Sequence, residues 1–167
     1  MNGKITNIKY LRLSKVNKIL IVEYKSFYND IEILDKTAQY LDSGFNLVEF
    51  YPECDNDCNN LEIAQKLRQL TSIYDSMFLI KNRLDIAQIT DSDGVILDIN
   101  SIKPIYAKKL LKEDKIIGFD SNLLLSTEIE NYILKERNFF DFIQGKIEIE
   151  YINGVKIFNN SIIERLK

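Results

Sequence analysis

The 167-residue chain contains no histidine. It therefore lacks the commonest general base near neutral pH and a frequent zinc ligand. Any acid–base chemistry must use Asp, Glu, Lys, Tyr or Cys side chains instead.

Cysteine is also scarce, with only Cys54 and Cys58, which have three residues between them in the polar segment PECDNDCNN. The pair could be half of a metal site or a redox pair. Because the chain has no histidine and no second cysteine pair, we favour two free thiols in a reducing compartment.

Long apolar runs and an excess of positive charge are missing as well. No segment approaches the roughly 20 apolar residues that a membrane-spanning helix needs. The N-terminal segment has no apolar signal core. A net charge of −3 gives no electrostatic reason to expect nucleic acid or an anionic membrane as a partner. We therefore expect a cytoplasmic protein that binds neither.

Short apolar runs alternate with segments of helical spacing through residues 18–143. Continuous apolar runs of this length are typical of buried parallel strands. The predicted strands are 18–24, 45–51, 77–82, 93–98, 115–120 and 138–143. The predicted helices are 30–44, 60–75, 83–90, 101–112 and 126–138. This alternation predicts one α/β domain over residues 1–167 with a parallel sheet.

Two architectures fit the alternation, a (β/α) barrel and an open doubly wound sheet. Only 47 residues follow Asp120, whereas a strand–helix–strand unit takes about 30 or more. A full barrel takes about 200–250 residues. We therefore expect a TIM-barrel-like parallel barrel that is truncated or incomplete. Because exposed strand edges are a liability, the tail or a second copy should cover them.

The two ends of the chain differ from its centre. Residues 146–158 alternate on both sides of Asn153-Gly154, which predicts a C-terminal β-hairpin with a type I′ turn. The last residues, NNSIIERLK, could form a short helix, so residues 144–167 are predicted as hairpin and helix. Residues 1–17 do not fit one period, and both a strand and a short capping helix stay open.

Four segments of the chain carry a family resemblance. Residues 79–87 (LIKNRLDIA), 92–101 (SDGVILDINS) and 116–121 (IIGFDS) follow one another in the chain. They resemble the segments L-I-I-N-D-R-x-D-L-A, A-D-G-V-H-L-G-Q-x-D and I-I-G-x-S of thiamine-phosphate synthases and their tautomerase relatives. Residues 44–53 resemble the family's G-x-x-x-V-Q-L-R-x-K strand. The resemblance covers about residues 18–122 and implies a TIM-barrel fold.

The resemblance also implies a reaction. The family joins an aminopyrimidine diphosphate to a thiazole phosphate and releases diphosphate, which magnesium and cationic side chains hold. The family's Gln falls on Glu49, its Arg on Tyr51 and its Lys on Glu53. Two cations are therefore replaced where the diphosphate should bind, and Tyr51 could fill space that substrate once occupied.

The family's metal positions are changed too. Its Asn-Asp pair becomes Lys81-Asn82, and its second metal Asp falls on Ser101. The Ser after its fifth strand becomes Asp120, with Ser121 beside it. No cofactor is certain, and Mg²⁺ is expected only if the family activity is retained.

The candidate site lies at the carboxyl ends of the strands, where barrels and open α/β sheets bind ligands. The catalytic candidates are Lys81, Asp120 and Glu49. The ligand-binding candidates are Tyr51, Glu53, Asn82, Asp98, Ser101 and Ser121. The alternative is that these are solvated residues at strand ends.

Lys81 and the aspartates each have two interpretations. Lys81 could be a Schiff-base lysine, but neighbouring carboxylates favour its charged form, so an ion pair with Glu49 or Asp98 is favoured. Asp98 and Asp120 could share a magnesium ion, or they could be solvated carboxylates.

Three functions follow. The first is a thiamine-phosphate-synthase-like protein of thiamine biosynthesis with weak or no synthase activity. The second is an enzyme of altered specificity that uses Lys81, Asp98 or Asp120. The third is a non-catalytic protein that forms a homodimer through the open barrel edge. A small phosphorylated ligand is the expected partner in the first two.

Overall fold

A computed structural model describes residues 2–122, 126–145 and 156–166 as a parallel sheet with helices on its outer side. The strands are β1 (Ile19–Tyr24), β2 (Leu47–Pro52), β3 (Met77–Lys81), β4 (Gly94–Leu97), β5 (Ile116–Asp120), β6 (Phe142–Gln144), β7 (Lys156–Phe158) and β8 (Ile163–Leu166). The helices are α1 (Asn2–Ser14), α2 (Asp30–Asp42), α3 (Asp57–Ile73), α4 (Leu84–Ile89), α5 (Pro104–Leu110) and α6 (Ser126–Glu136). Short 3-10 turns follow α6 and β7.

The strands are ordered β7-β6-β5-β4-β3-β2-β1-β8, and each described pair is parallel. Strands β1 to β6 follow one another without the reversal of order that defines a doubly wound sheet. The two edge strands are joined by only four residues, 159–162, which limits the gap between Phe158 and Ile163 to about 18 Å. The sheet is therefore curled, and the prediction of a truncated TIM-barrel-like fold is confirmed.

The alternation of side chains divides the core into two layers. Residues such as Leu20, Phe50 and Phe78 point outward and pack under α2 and α3. Residues such as Ile21, Leu79 and Phe142 point into the barrel and form a second apolar cluster. Because both faces of each strand are buried, the strands appear in the sequence as continuous apolar runs.

The N-terminal segment, which the sequence left open, is the helix α1 at the amino end of the barrel. Leu13 is buried in the inner cluster. Lys9 lies 2.6 Å from Asp141, at the start of β6. Arg12 lies 2.5 Å from Asp93, at the start of β4. Helix α1 thus closes the amino end and leaves the candidate site at the other end.

The tail differs from its prediction. The first arm and the turn of the predicted hairpin, residues 146–155, lie outside the described residues, and Lys156–Phe158 pairs in parallel with β6. The predicted C-terminal helix is wrong, since Ile163–Leu166 is a strand that pairs with β1. The reason is that β1 needs a second neighbour: Ile19 beside Ile163 is wholly buried, and pairing satisfies its backbone groups.

The helices in the described ranges are too short or too polar to cross a bilayer. The predicted cytoplasmic location stays a prediction.

Candidate ligand site at the carboxyl end of the barrel

The inner layer of the barrel changes from apolar to polar along the strands. On β2, Leu47, Glu49 and Tyr51 point inward, because side chains two residues apart share a face. Lys81, Asp120 and Gln144 stand at the carboxyl ends of β3, β5 and β6. The candidate site is therefore a polar layer above an apolar barrel floor.

Lys81 occupies the centre of this layer. Its Nζ lies 3.0 Å from Asp120 Oδ2 and 3.5 Å from Asp98 Oδ2. The same atom lies 4.2 Å from the centroid of the Tyr51 ring. The expected ion pair with Asp98 is present, and Asp120, not Glu49, supplies the second carboxylate. Because two carboxylates and a ring face already engage Nζ, this arrangement is typical of a structural ion pair and disfavours a Schiff-base lysine.

Glu49 is the most deeply buried carboxyl group of the site. Gln144 Nε2 donates a hydrogen bond to Glu49 Oε2 at 2.8 Å, and the Tyr51 hydroxyl lies 3.3 Å from the same oxygen. Burial and, secondarily, the Asp120 charge raise the pKa of Glu49 to about 8, against the lowering effect of Gln144, Tyr51 and Lys81. Glu49 is therefore mainly neutral at pH 7.

Asp120 has the opposite protonation state. Burial alone would raise its pKa, but the Lys81 charge, the Asn122 backbone N–H and the Tyr51 hydroxyl together lower it. The Tyr51 hydroxyl donates to Asp120 Oδ2 at 3.1 Å, and burial raises the pKa of Tyr51 well above its usual range. One neutral and one ionised carboxyl group thus contact the same hydroxyl.

Two buried oxygens of the layer have no hydrogen-bond partner among the described residues. They are Glu49 Oε1 and Gln144 Oε1. Buried polar atoms are nearly always satisfied by protein or water. The layer therefore has hydrogen-bonding capacity for a water molecule or a polar ligand group.

Asn82, Asp98 and Ser101 form a second cluster at the rim. Asn82 has a φ of +57° and its Nδ2 donates to Asp98 Oδ2 at 2.9 Å. The Ser101 hydroxyl donates to Asn82 Oδ1 and accepts from the Asp98 backbone N–H at 2.8 Å. The two positions that the resemblance assigns to metal ligands therefore bond to each other. The part of the chain that the structure describes has no cluster of three or more Cys, Asp and Glu residues suited to a metal ion.

Most of the predicted site residues come together. Glu49, Tyr51, Lys81, Asp98 and Asp120 share the polar layer or its edge. Asn82 and Ser101 lie at the rim. Their functional roles stay predictions.

Two predicted residues lie apart from the layer. Ser121 is buried, and its hydroxyl donates to the backbone carbonyl of Gln144 at 2.7 Å. The Glu53 side chain is about half exposed and lies 3.8 Å from Lys25 on the surface. Pro52 ends β2, so Glu53 follows the chain out of the barrel.

Sequence reasoning missed Gln144 and Arg165. The sixth strand was predicted to end at residue 143, yet inward Phe142 places Gln144 on the same face two residues later. Arg165 was predicted in a helix, but from β8 it pairs with Glu23 at 2.8 Å, 6.0 Å from the Tyr51 ring centroid.

The two cysteines are free. Cys54 is buried, with its Sγ 3.4 Å from Ser26 Oγ, and Cys58 is exposed. The interpretation as free thiols agrees with this arrangement.

Comparisons with known proteins place this site in context. The family model for thiamine monophosphate synthase matches residues 19–128. The thiamine-phosphate synthase of Nostoc punctiforme is 33% identical over 89 residues, 53% of this chain and 25% of that protein. The thiamine-phosphate synthase of Methanococcus vannielii is 38% identical over 80 residues, 48% of this chain and 38% of that protein. This chain thus spans well under half of those relatives.

The fold has a counterpart among solved structures. A thiamine phosphate pyrophosphorylase from Pyrococcus furiosus superposes with a TM-score of 0.66 and 20% sequence identity, covering 90% of this chain and 77% of that one. At that identity the likeness concerns the fold alone.

Proposed function

The chain belongs to the thiamine monophosphate synthase family, and from that premise we propose a thiamine-phosphate-synthase-like protein of thiamine biosynthesis whose synthase activity is weak or absent. The hydrogen bond between Ser101 and Asn82 is the observation that carries this proposal. These residues fall where the resemblance expects two metal carboxylates, and they bring no negative charge. Mg²⁺ is bound in proteins mainly through carboxylates, waters and substrate phosphates.

Asp98 and Asp120 do not replace the lost metal ligands. The Lys81 ammonium lies between their carboxylates, at 3.5 and 3.0 Å. A cation shared by the two aspartates would have to displace it. The described residues therefore do not fit a magnesium site.

The described part of the site also lacks free cationic side chains to bind the leaving diphosphate. Tyr51 and Glu53 stand where the resemblance expects Arg and Lys, and the charge of Lys81 is already matched by two aspartates. The inner layer is also packed, with Tyr51 buried across the barrel.

A direct assay tests the proposal. The purified chain is incubated with the aminopyrimidine diphosphate, the thiazole phosphate and Mg²⁺, and thiamine phosphate is measured by chromatography. We expect no product, or only a trace, above the protein-free reaction. Sustained turnover that saturates with both substrates, and that is lost in Ser101→Ala, would overturn it.

A second candidate is an enzyme of altered specificity at the same layer. Two carboxyl groups whose environments push their pKa values apart are a common acid–base arrangement, and Glu49 and Asp120 have that relation. A screen of small phosphorylated and hydrogen-bond-donating compounds by thermal shift tests it. A compound that raises the Tm of the native chain but not of Glu49→Leu supports this candidate. If no compound raises the Tm of the native chain, this candidate is rejected and the first proposal stands.

A further inference from the structure

Helix α5 presents an apolar strip to solvent. Pro104 and Ala107 are buried toward the sheet, whereas Tyr106 and Leu110 are 54% and 59% exposed. The other exposed apolar residues beside them are Ile102 and Ile105. Gln88 Nε2 donates to the Leu110 carbonyl at 3.0 Å, which brings the end of α4 beside the end of α5. Residues 102–112 are called the α5 surface below.

The α5 surface is basic. Residues 102–112 contain four lysines and no acidic residue: Lys103, Lys108, Lys109 and Lys112. None of these lysines takes part in the ion pairs found among the described residues. Lys109 Nζ instead lies 5.9 Å from the Tyr106 ring centroid. The strip therefore combines exposed apolar area with lysines that lie outside those ion pairs.

The start of α2 has the opposite character. Phe27 is 78% exposed and Ile31 is 71% exposed. The Asp55 backbone N–H bonds to Ser26 Oγ at 3.3 Å, which brings that acidic residue beside Phe27. Residues 26–35 and Asp55 carry four acidic residues and no basic one. Asp30 and Glu32 pair with Lys66 and Lys36 at 3.3 and 2.6 Å, whereas Asp35 and Asp55 take part in none of the ion pairs found among the described residues. Residues 26–35 together with Asp55 are called the α2 surface below.

The two surfaces face different directions on one molecule. Helix α2 connects β1 to β2 and α5 connects β4 to β5, so three strand positions of a curled sheet separate them. They cannot meet within one chain. We propose that the α2 surface of a second copy docks on the α5 surface.

Three observations favour a second copy as the occupant. Each surface has exposed apolar residues for the centre of an interface. The charges outside the ion pairs are opposite in sign, with Asp35 and Asp55 on the α2 surface against the lysines of the α5 surface. The net charge of −3 adds little repulsion between copies.

The geometry makes the contact head-to-tail, because two different surfaces meet. Such contacts leave one α2 surface and one α5 surface free at the ends, so association continues into a ring or an open chain. This contact does not involve the strand edges, and it does not depend on the proposed function of the site.

Sedimentation velocity over a wide concentration range tests the proposal. At low ionic strength we expect the mean mass to rise with protein concentration beyond that of a dimer, and to fall again at high sodium chloride. The variant Tyr106→Glu/Leu110→Glu should stay monomeric, as should Phe27→Glu/Ile31→Glu. The matched control is Leu134→Glu, which changes a residue on α6 that is 46% exposed and should associate like the native chain.

Mixing the two double variants distinguishes this contact from a symmetric one. Each variant keeps one intact surface, so the equimolar mixture should form a one-to-one complex and nothing larger. A native chain that stays monomeric, or a mixture that stays monomeric while the native chain associates, overturns the proposal. Binding of the native chain to anionic phospholipid vesicles without self-association also overturns it, since the α5 surface would then serve a membrane.

Discussion

Gln144 Nε2 and Glu49 Oε2 are hydrogen-bonded at 2.8 Å although their strands, β6 and β2, are four positions apart in the sheet. In a flat sheet four strand spacings would separate them by about 19 Å. The curl of the sheet therefore brings side chains from opposite walls into one layer. Tyr51 and Asp120, three positions apart, meet at 3.1 Å for the same reason. The fold thus concentrates the polar residues that the candidate site requires.

The buried ion pair of Lys81 should be strongly coupled to stability. Replacing Lys81 by Met leaves Asp98 and Asp120 without their cation, and breaking a buried pair costs about 3–5 kcal/mol. Urea unfolding should show that loss, and adding Asp120→Asn to Lys81→Met should recover part of it. The matched control is Lys25→Met, whose partner Glu53 is 3.8 Å away on the surface, where such pairs contribute about 0–1 kcal/mol. Equal small losses in both variants would contradict this prediction.

Glu49 should make stability depend on pH. Its pKa is about 8 in the folded protein against 4.5 for the ordinary group. A raised folded pKa contributes stability that is fully present below 4.5 and is lost as the pH rises through 8. The free energy of unfolding should therefore fall across that range by on the order of a few kcal/mol more in the native chain than in Glu49→Gln.

Urea unfolding at several pH values between 5 and 9 measures this difference. The control variant is Glu53→Gln, which removes an exposed carboxylate from the same strand end and should keep the native pH dependence. Parallel pH profiles for the native chain and Glu49→Gln would show that Glu49 is ionised when buried.

Gly118 should tolerate no side chain while Phe142 is present. A Cβ at residue 118 would lie 2.2 Å from Phe142 Cζ, and both residues point into the barrel. We expect Gly118→Ala to destabilise the protein by about 1–3 kcal/mol, as overpacked cores do. In the Phe142→Leu background the same change should cost less, because the clashing ring atoms are gone. A double-mutant cycle by urea unfolding measures the coupling, and additive losses would contradict it.

The strands and helices between residues 19 and 120 could be predicted because each buried strand leaves a continuous apolar run. Polar residues toward the carboxyl ends of those runs indicated the candidate site, which is how Glu49, Tyr51, Lys81 and Asp120 were found. β6 and β8 have only three and four residues, too few to show a period. β8 also pairs with β1, at the other end of the chain, so nothing in the local sequence indicated Arg165. Gln144 lies one residue beyond the predicted end of the sixth strand.

The rim cluster gives a gain-of-function prediction. Replacing Asn82 and Ser101 together by Asp places two carboxylates beside Asp98 and removes the hydrogen bond that now joins the two positions. Without Mg²⁺ the like charges should lower the Tm of this variant below that of the native chain. Adding Mg²⁺ should raise it again, because an ion that binds only the folded state stabilises that state. The native chain should show no shift.

Adding Asp98→Asn to the variant removes one of the three carboxylates and should reduce the Mg²⁺-dependent shift. A Tm that rises equally with Mg²⁺ in the native chain would mean that the rim already binds the ion, and the proposed loss of synthase activity would lose its main support.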